Sequence, residues 1–376
     1  MKKALITATV HEFLKFEIND IKILKSLGYE IHVATNMNGA SWLRDDGSLD
    51  ELGIIKHQVD YGRNPFVLTN YRAYKQLREL MKKENYDIIH CHTPVASAIA
   101  RIAAIDSRRK GTSVIYTCHG FHFHKKSSMI DWLIYYPIER MLAPFTDMII
   151  TINKEDYQVL QKFNVKHKKY IPGVGINAEY ISSLEVNQEE LRREFGVPDD
   201  AFMIMSIGEL SKRKNHEVVI KALSLSAKEN VYYLICGTGE LLEYLKTLAQ
   251  KLNVSNRVIF AGQQPHEKVL ALAQVANLGV LPSLIEGLGL AGIETLAAGT
   301  PLVASGVHGI KDYTIDEETG LCCEPNCPEQ FRDAIEKMMD DTSLYNRCKK
   351  NAKLMALRFD INYVQELMIQ NYKEIS

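Results

Sequence analysis

The stretch Leu281 to Ser305, LPSLIEGLGLAGIETLAAGTPLVAS, decides how this chain folds. Val280 and Leu281 end an apolar run that Pro282 stops, Leu290 to Ala298 has the make-up of a helix closed by Gly299, and Pro301 to Ala304 is apolar again. The order is strand, loop, helix, strand. Gly287, Leu288 and Gly289 form the loop, and glycines there let backbone come close to a ligand. The helix opened at Leu290 offers unpaired N–H groups with a partial positive charge, which suits a diphosphate. A carboxylate stands on each side of the loop. Glu286 can accept hydrogen bonds from sugar hydroxyls, and Glu294, about one turn into the helix, can hold a ribose diol. The set describes a site for a nucleotide sugar.

These residues also carry a resemblance. Glu286 and Glu294, within P-S-x-x-E-G-x-G-L-x-x-x-E-x-x-A-x-G-x-P-x-V-A-S, resemble the E-x7-E element of retaining glycosyltransferases of family 4. A lone G-x-G would be a weak signal; the agreement across one long window makes this one specific. The resemblance implies the GT-B fold: two Rossmann-like, doubly wound parallel-sheet domains facing a central cleft. Residues 1–180 would form the acceptor side and 181–359 the nucleotide-sugar side, with a last helix over 360–376 packing back on the first domain. The competing reading is an ordinary βαβ crossover with surface glutamates.

The alternation of short apolar runs with helical patterns agrees. Strands are expected at Ala4 to Val10, Glu30 to Ala34, Asp87 to His90, Ser113 to Thr117 and Met148 to Ile152, with helices between them near Glu17 to Leu27, Leu68 to Lys83, Ala96 to Arg108, Met129 to Met141 and Lys154 to Phe163. A polar segment after PGVGINAEY, reaching about Asp200, reads as the domain junction. Strands then resume at Met203 to Ile207, Tyr232 to Cys236, Val258 to Phe260, Leu278 to Leu281 and Leu302 to Ala304, and helices over Glu329 to Asp340, Ser343 to Leu357 and Asp360 to Ile375 close the chain.

Composition bounds the function. With 376 residues there is room for two to three domains, and 45 basic against 46 acidic residues leave no global attraction for nucleic acid. Seven scattered cysteines read as reduced thiols of a cytoplasmic protein rather than as a disulfide framework. Cys322, Cys323 and Cys327 lack the second Cys/His pair that a zinc site needs. MKKALITATV is a first strand, not a signal peptide, and no apolar run approaches the ~20 residues that span a bilayer.

Ligands of doubly wound sheets bind outside the carboxyl ends of the strands, so the loops there are the candidates. After Ile207 comes GELSKRKN, where Lys214 is placed to neutralise a diphosphate and Arg213 to add a fork of donors; as a loop lysine, Lys214 should be replaceable without unfolding the chain. The family usually has arginine where this chain has Glu209. Gly237 opens a turn that resembles the family's G-x-G turn beside the nucleotide, and the resemblance places Gln263 at the base, where a glutamine can pair with an amide edge such as uracil. In T-C-H-G-F-H-F-H the resemblance directs His119 at the donor sugar and its phosphate. His122 and His124 complete a cluster that mimics a zinc site but has no carboxylate or cysteine at ligand spacing. Between Val10 and Phe16 the family's paired glycines are missing; Lys15 could meet the phosphate instead, or the loop could pack under its own aromatic residues.

Lys125 to Phe145, KKSSMIDWLIYYPIERMLAPF, mixes basic, aromatic and aliphatic residues. It fits a core helix kinked at Pro137, the favoured reading, or a peripheral contact with a membrane. No Asp-x-Asp is present, the motif with which metal-dependent GT-A transferases hold an ion on the diphosphate. The reading is therefore a metal-independent transfer, with no cofactor, of a sugar from a UDP-sugar to a hydroxyl of a lipid-linked saccharide or polysaccharide, as in exopolysaccharide or capsule synthesis. Two rivals are a GT-B-fold UDP-GlcNAc 2-epimerase, which would release epimerised sugar without acceptor, and a bilobed binding protein, which would bind without releasing UDP.

Overall fold

Buried parallel strands need apolar residues on both faces, and the runs that have them form the two sheet centres. The structure, a computed structural model, describes residues 1–38 and 47–376. It divides into one unit of Met1–Gly175 with Asn362–Ser376 and another of Ile176–Ile361.

In the first unit the strands are β1 (Lys2–Val10), β2 (Tyr29–Asn36), β3 (Ile55–Gln58), β4 (Ile88–His92), β5 (Ser113–Cys118), β6 (Met148–Thr151) and β7 (His167–Tyr170). They run parallel in the order β3-β2-β1-β4-β5-β6-β7, so the chain doubles back at β1 and β4. The sheet is covered by helices such as Thr69–Glu84 and Pro94–Ala103, whose alanines and leucines pack on Leu5, Ile89 and Tyr116. In the second unit, β8 (Phe202–Ile207), β9 (Val231–Cys236), β10 (Val258–Gly262), β11 (Leu278–Leu281), β12 (Leu302–Ser305) and β13 (Gly320–Cys323) are ordered β10-β9-β8-β11-β12-β13, with the reversal at β8 and β11.

Three strands escaped the sequence reading, and all are edge or near-edge strands. IKHQ and HKKY carry too many polar residues for an apolar-run search, and GLCC is short and opens on glycine. The polar segment expected to be the junction is instead part of the second unit. The division falls at Gly175, and Ala178–Ser183 and Gln188–Glu194 are helices, each capped by an asparagine side chain, Asn177 or Asn187. The last helix, Ile361–Ile375, belongs to the first unit: Tyr372 is fully buried there and donates or accepts at His90 Nδ1, 2.8 Å away.

The helix Met129–Leu142 packs on the core by one side only. Ser128 and Asp131 cap it reciprocally, and it runs through Pro137 as one element. Trp132, Tyr135 and Tyr136 turn inward on the core. On the other side Met129 (80%), Ile130 (66%), Leu133 (71%) and Met141 (70%) face solvent. No helix among the described residues is long and apolar enough to cross a membrane.

Candidate functional site

In the second unit the loops after β8, β9 and β11 converge. Gly289 adopts a left-handed conformation (φ 83°) as it leads into the helix Leu290–Ala297, and a side chain there would run into Glu286 and the Tyr313 hydroxyl. Tyr313 is fully buried and donates to the Gly289 carbonyl at 3.0 Å, which fixes the loop. At Gly237 the fit is closer still, because a Cβ would lie 1.9 Å from the Gly208 carbonyl oxygen. Gly237 thus stands where backbone crosses backbone, and Gly289 where two side chains close on the loop.

Glu286 does not stand free to meet a sugar. Its Oε2 accepts from Lys214 Nζ at 2.5 Å and from Arg213 Nη1 at 3.0 Å, and the Glu286 and Lys214 side chains are only 15% and 16% exposed. Burial pushes the Glu286 carboxyl up, but Lys214 first and Arg213 next outweigh it and hold it below the usual range. Lys214 is therefore a half-buried ion-pair member packed along Gly208, not the exposed loop lysine of the sequence reading. Arg213 is also tied in through its backbone, its carbonyl accepting from the Leu284 N–H at 2.8 Å. Lys214, Arg213 and Glu286 form one cluster at the mouth of the glycine loop. Glu294 lies one turn into its helix and pairs with His266 Nε2 at 2.9 Å, a partner the sequence did not signal. Gln263 follows β10 and is exposed, while Leu288 is buried under the loop.

In the first unit a second constellation lies at the ends of β1, β4 and β5. His119 Nε2 is 3.1 Å from His92 Nδ1, and Glu17 Oε1 is 3.2 Å from the first nitrogen and 3.4 Å from the second. Behind them His90 is gripped by Tyr372 and by Thr117, each at 2.8 Å, and burial pushes its imidazole down to about 3. Burial also lowers His92, while Asp20 is raised by burial first and by Glu17 next. Glu17, His92 and His119, and likewise Asp20, His90 and His92, bring ligand-type atoms within 4.8 Å of one another. These, and not His122 and His124, are the groups that surround His119. His122 instead lies against Tyr135, ring centroids 4.7 Å apart.

The segment after β1 is a 3-10 helix, His11–Glu17, in which Lys15 lies over the Phe16 ring at 5.3 Å and Phe13 meets His119 edge-on at 5.0 Å. Sequence reasoning missed Glu17 and His92. The signals were there, a carboxylate in an apolar helix start and an H-C-H at a strand end, but neither has a motif around it. A cavity of about 650 Å3 lies beside these groups, walled by Thr9, Phe13, Thr93, Phe121, Tyr135 and Ile138.

Known proteins resemble the chain along its length. A model described as "Glycosyltransferase Family 4" matches residues 21–172 and one described as "Glycosyl transferases group 1" matches residues 187–355. EpsD of Bacillus subtilis (strain 168), a protein named as a glycosyltransferase, is 35% identical over 99% of this chain and 96% of its own length. The UDP-Gal:alpha-D-GlcNAc-diphosphoundecaprenol alpha-1,3-galactosyltransferase of Escherichia coli is 28% identical over 77% of this chain and 76% of its own. Among solved structures, Anabaena Alr3699/HepE in complex with UDP and glucose superposes with a TM-score of 0.80 over 100% of both chains at 18% identity, a likeness of fold.

Proposed function

Because this chain belongs to glycosyltransferase family 4 and has the GT-B fold, we propose that it moves a hexose or N-acetylhexosamine from a UDP-sugar to a hydroxyl of a lipid-linked or polysaccharide acceptor, with retention and without a metal ion. The observation that carries the reading is the cluster of Lys214, Arg213 and Glu286 at the glycine loop. Two cations beside the amino end of the Leu290 helix supply, in protein groups, the positive charge that a leaving diphosphate needs. Glu286, bonded to those cations, passes their orientation on to sugar hydroxyls. Glu294 holds the ribose, with His266 beside it, and Gln263 meets the base from its exposed loop. Uridine as the base is supported by the E. coli relative, named for UDP-Gal, and by the HepE complex with UDP and glucose.

His119 is assigned to the donor sugar or its departing phosphate, and Lys15, whose ammonium lies over the Phe16 ring, to a phosphate. No carboxylate is free to be a nucleophile in the second-unit cluster, where Glu286 is held by two cations. The resemblance to the family supports a front-face displacement, in which the glycosidic C–O bond breaks, the acceptor oxygen bonds the same face and the departing phosphate oxygen takes the acceptor proton. The aromatic-walled cavity of the first unit is assigned to the acceptor. Solvent-facing Met129, Ile130, Leu133 and Met141, with Lys125, Lys126 and Arg140 on the same segment, support a peripheral membrane contact at the cytoplasmic face, where a lipid-linked acceptor would reside.

A panel of nucleotide sugars, scored by thermal shift and by UDP release with and without EDTA, tests the proposal. The expected result is one UDP-sugar that both stabilises the protein and is turned over in EDTA. Loss of turnover in EDTA that Mg2+ or Mn2+ restores would overturn the metal-independent mechanism, and absence of any UDP binding would overturn the donor.

A further inference from the structure

The buried groups behind His119 do more than fill space. Among the described residues only His92 hydrogen-bonds the His119 ring, at Nε2, which leaves Nδ1 as the nitrogen that a ligand can meet. Which ring carries the shared hydrogen can be decided from the far side of His92. His92 is fully buried, and its Nε2 has no hydrogen-bond partner. A buried N–H without an acceptor is among the rarest arrangements in proteins, whereas a bare lone pair is more readily tolerated. His92 therefore keeps its hydrogen on Nδ1 and donates it to His119 Nε2. A neutral imidazole has one hydrogen, so His119 must carry its own on Nδ1.

Glu17 lies against this hydrogen bond. Its buried Oε1 accepts no hydrogen bond and lies 3.2 Å from His119 Nε2 and 3.4 Å from His92 Nδ1, so it holds the shared hydrogen between the two rings without choosing its side, and the choice rests on His92 Nε2. The same closeness of three ligand-type atoms would suit a divalent ion. The alignment argues otherwise: in a metal site both imidazole lone pairs would face the ion, whereas here the two nitrogens face each other as donor and acceptor at 3.1 Å. Phe13 closes on the His119 ring from the side, at 5.0 Å between centroids, and limits its rotation.

We propose that His92, with Glu17 beside it, is a positioning residue that fixes His119 as the Nδ1–H tautomer, a hydrogen-bond donor aimed at an anionic or hydroxyl oxygen of the donor substrate. The assignment of that oxygen to a nucleotide sugar rests on the function proposed above. The tautomer itself does not, and can be read without any substrate.

The test is two-bond 15N–1H correlation spectroscopy on the intact chain labelled with 15N-histidine, the His119 signals being those that vanish in His119→Gln. The expected pattern near neutral pH is that of an Nδ1–H imidazole. An Nε2–H pattern overturns the proposal in the native protein, with no variant needed to fold. His92→Leu, which keeps bulk and removes the donor, should lower kcat about 10 to 100-fold while leaving UDP affinity unchanged, and should mix the His119 tautomers. His92→Asn, whose amide N–H falls near the position of Nδ1, should recover most of both. An unchanged His119 pattern in folded His92→Leu overturns the positioning role, as does one equivalent of Zn2+ retained by the purified protein or bound on titration with ZnCl2. If no nucleotide sugar is turned over yet the Nδ1–H pattern stands, the function proposed above fails and this inference survives.

Discussion

The two units end their sheets in opposite chemistry. In the second, β8 and β11 lead to a charged cluster in which two cations and a carboxylate pair at 2.5 and 3.0 Å, still partly open to water. In the first, β1, β4 and β5 lead to buried histidines with one carboxylate, Glu17, among them, His90 and His92 having no exposed surface, beside a cavity of about 650 Å3 with aromatic walls. A doubly wound sheet fixes where a site lies and leaves its character to a few residues at the strand ends. A fixed, charged grip suits a diphosphate that is the same for every donor. An apolar wall with a few oriented donors suits a partner recognised by shape.

The strongest way to break this comparison is to remove the charge from the second unit. Lys214→Ala should weaken UDP binding and lower kcat/KM about 100 to 1,000-fold, the usual cost of losing one donor aimed at developing negative charge. It should also cost about 1–3 kcal/mol of stability, because Glu286 is left in a half-buried place with Arg213 alone. Lys214→Met keeps the stem that packs along Gly208 and should recover part of the packing without recovering activity. Calorimetry with UDP and thermal melts of both variants decide it. Unchanged UDP affinity would take Lys214 out of the site.

The same contrast explains what could be read from the sequence. The second unit's site is contiguous: Glu286, Gly287, Gly289 and Glu294 lie within nine residues, and the spacing itself carries the chemistry. What the spacing could not tell was that Lys214, some seventy positions earlier, would be bonded to Glu286, because that pairing is made by β8 and β11 lying side by side. In the first unit the site is assembled from three strand ends, and a buried glutamate such as Glu17 looks in sequence like any helix-start carboxylate. Fold followed the same rule. Central strands announced themselves by apolar runs, while β3 and β7, half-exposed at the sheet edge, hold their places through ladder hydrogen bonds that leave no hydropathy signal.

A second and smaller effect separates the two glutamates. Glu286→Gln should lower turnover about 100-fold with UDP affinity nearly kept, since it leaves Lys214 and Arg213 in place to meet the diphosphate while removing a charge-assisted acceptor for sugar hydroxyls. Glu294→Gln should weaken UDP and UDP-sugar alike, by about 1.5–3 kcal/mol at most, as a carboxylate on the ribose diol would. Equal loss of UDP affinity in the two variants would show the assignment of sugar to one and ribose to the other to be wrong.

Acid should distinguish the units without any mutation. A histidine whose folded value lies below its unfolded 6.5 binds its proton preferentially in the unfolded chain, so stability is lost as pH falls from about 6.5 toward the folded value. His216 in the second unit, lowered to about 4 by burial and then by Lys214, loses stability over that window. Among the described residues the first unit has His90, lowered to about 3, and His92, both fully buried, with half-buried His57 lowered in the same way, all first by burial. Asp20, raised by burial, works the other way there, because acidification favours its folded form, but it is one group against three. Each fully buried histidine costs about 1.4 kcal/mol per pH unit within its window. Trp132 packs on the core of the first unit, so in a Trp42→Phe background its fluorescence should change at a higher pH than far-UV circular dichroism of the whole chain on stepwise acidification. Coincident transitions would contradict the difference between units.

The smallest effect on stability concerns the helix Met129–Leu142, and its value lies in being small. A side chain that packs on nothing in the free protein can be exchanged for a polar one at little cost, within about 0.5 kcal/mol for a surface site. Ile130 and Leu133 are 66% and 71% exposed, whereas Trp132 and Tyr136 of the same helix are packed on the core. Ile130→Ser with Leu133→Ser should therefore leave the thermal midpoint and turnover of a water-soluble acceptor analogue unchanged. Sedimentation with vesicles containing an anionic lipid should fall, because two buried side chains of this kind contribute about 3–6 kcal/mol at an apolar boundary. Lys125→Gln with Lys126→Gln should weaken the same binding in a way that added salt mimics, since a basic pair acts on a lipid surface through screened charge. If the serine pair lowers the melting midpoint by several degrees, the outward face is covered within the protein itself. If vesicle binding survives the serine pair untouched, the helix is not what meets the lipid, and the exposed apolar residues need another partner.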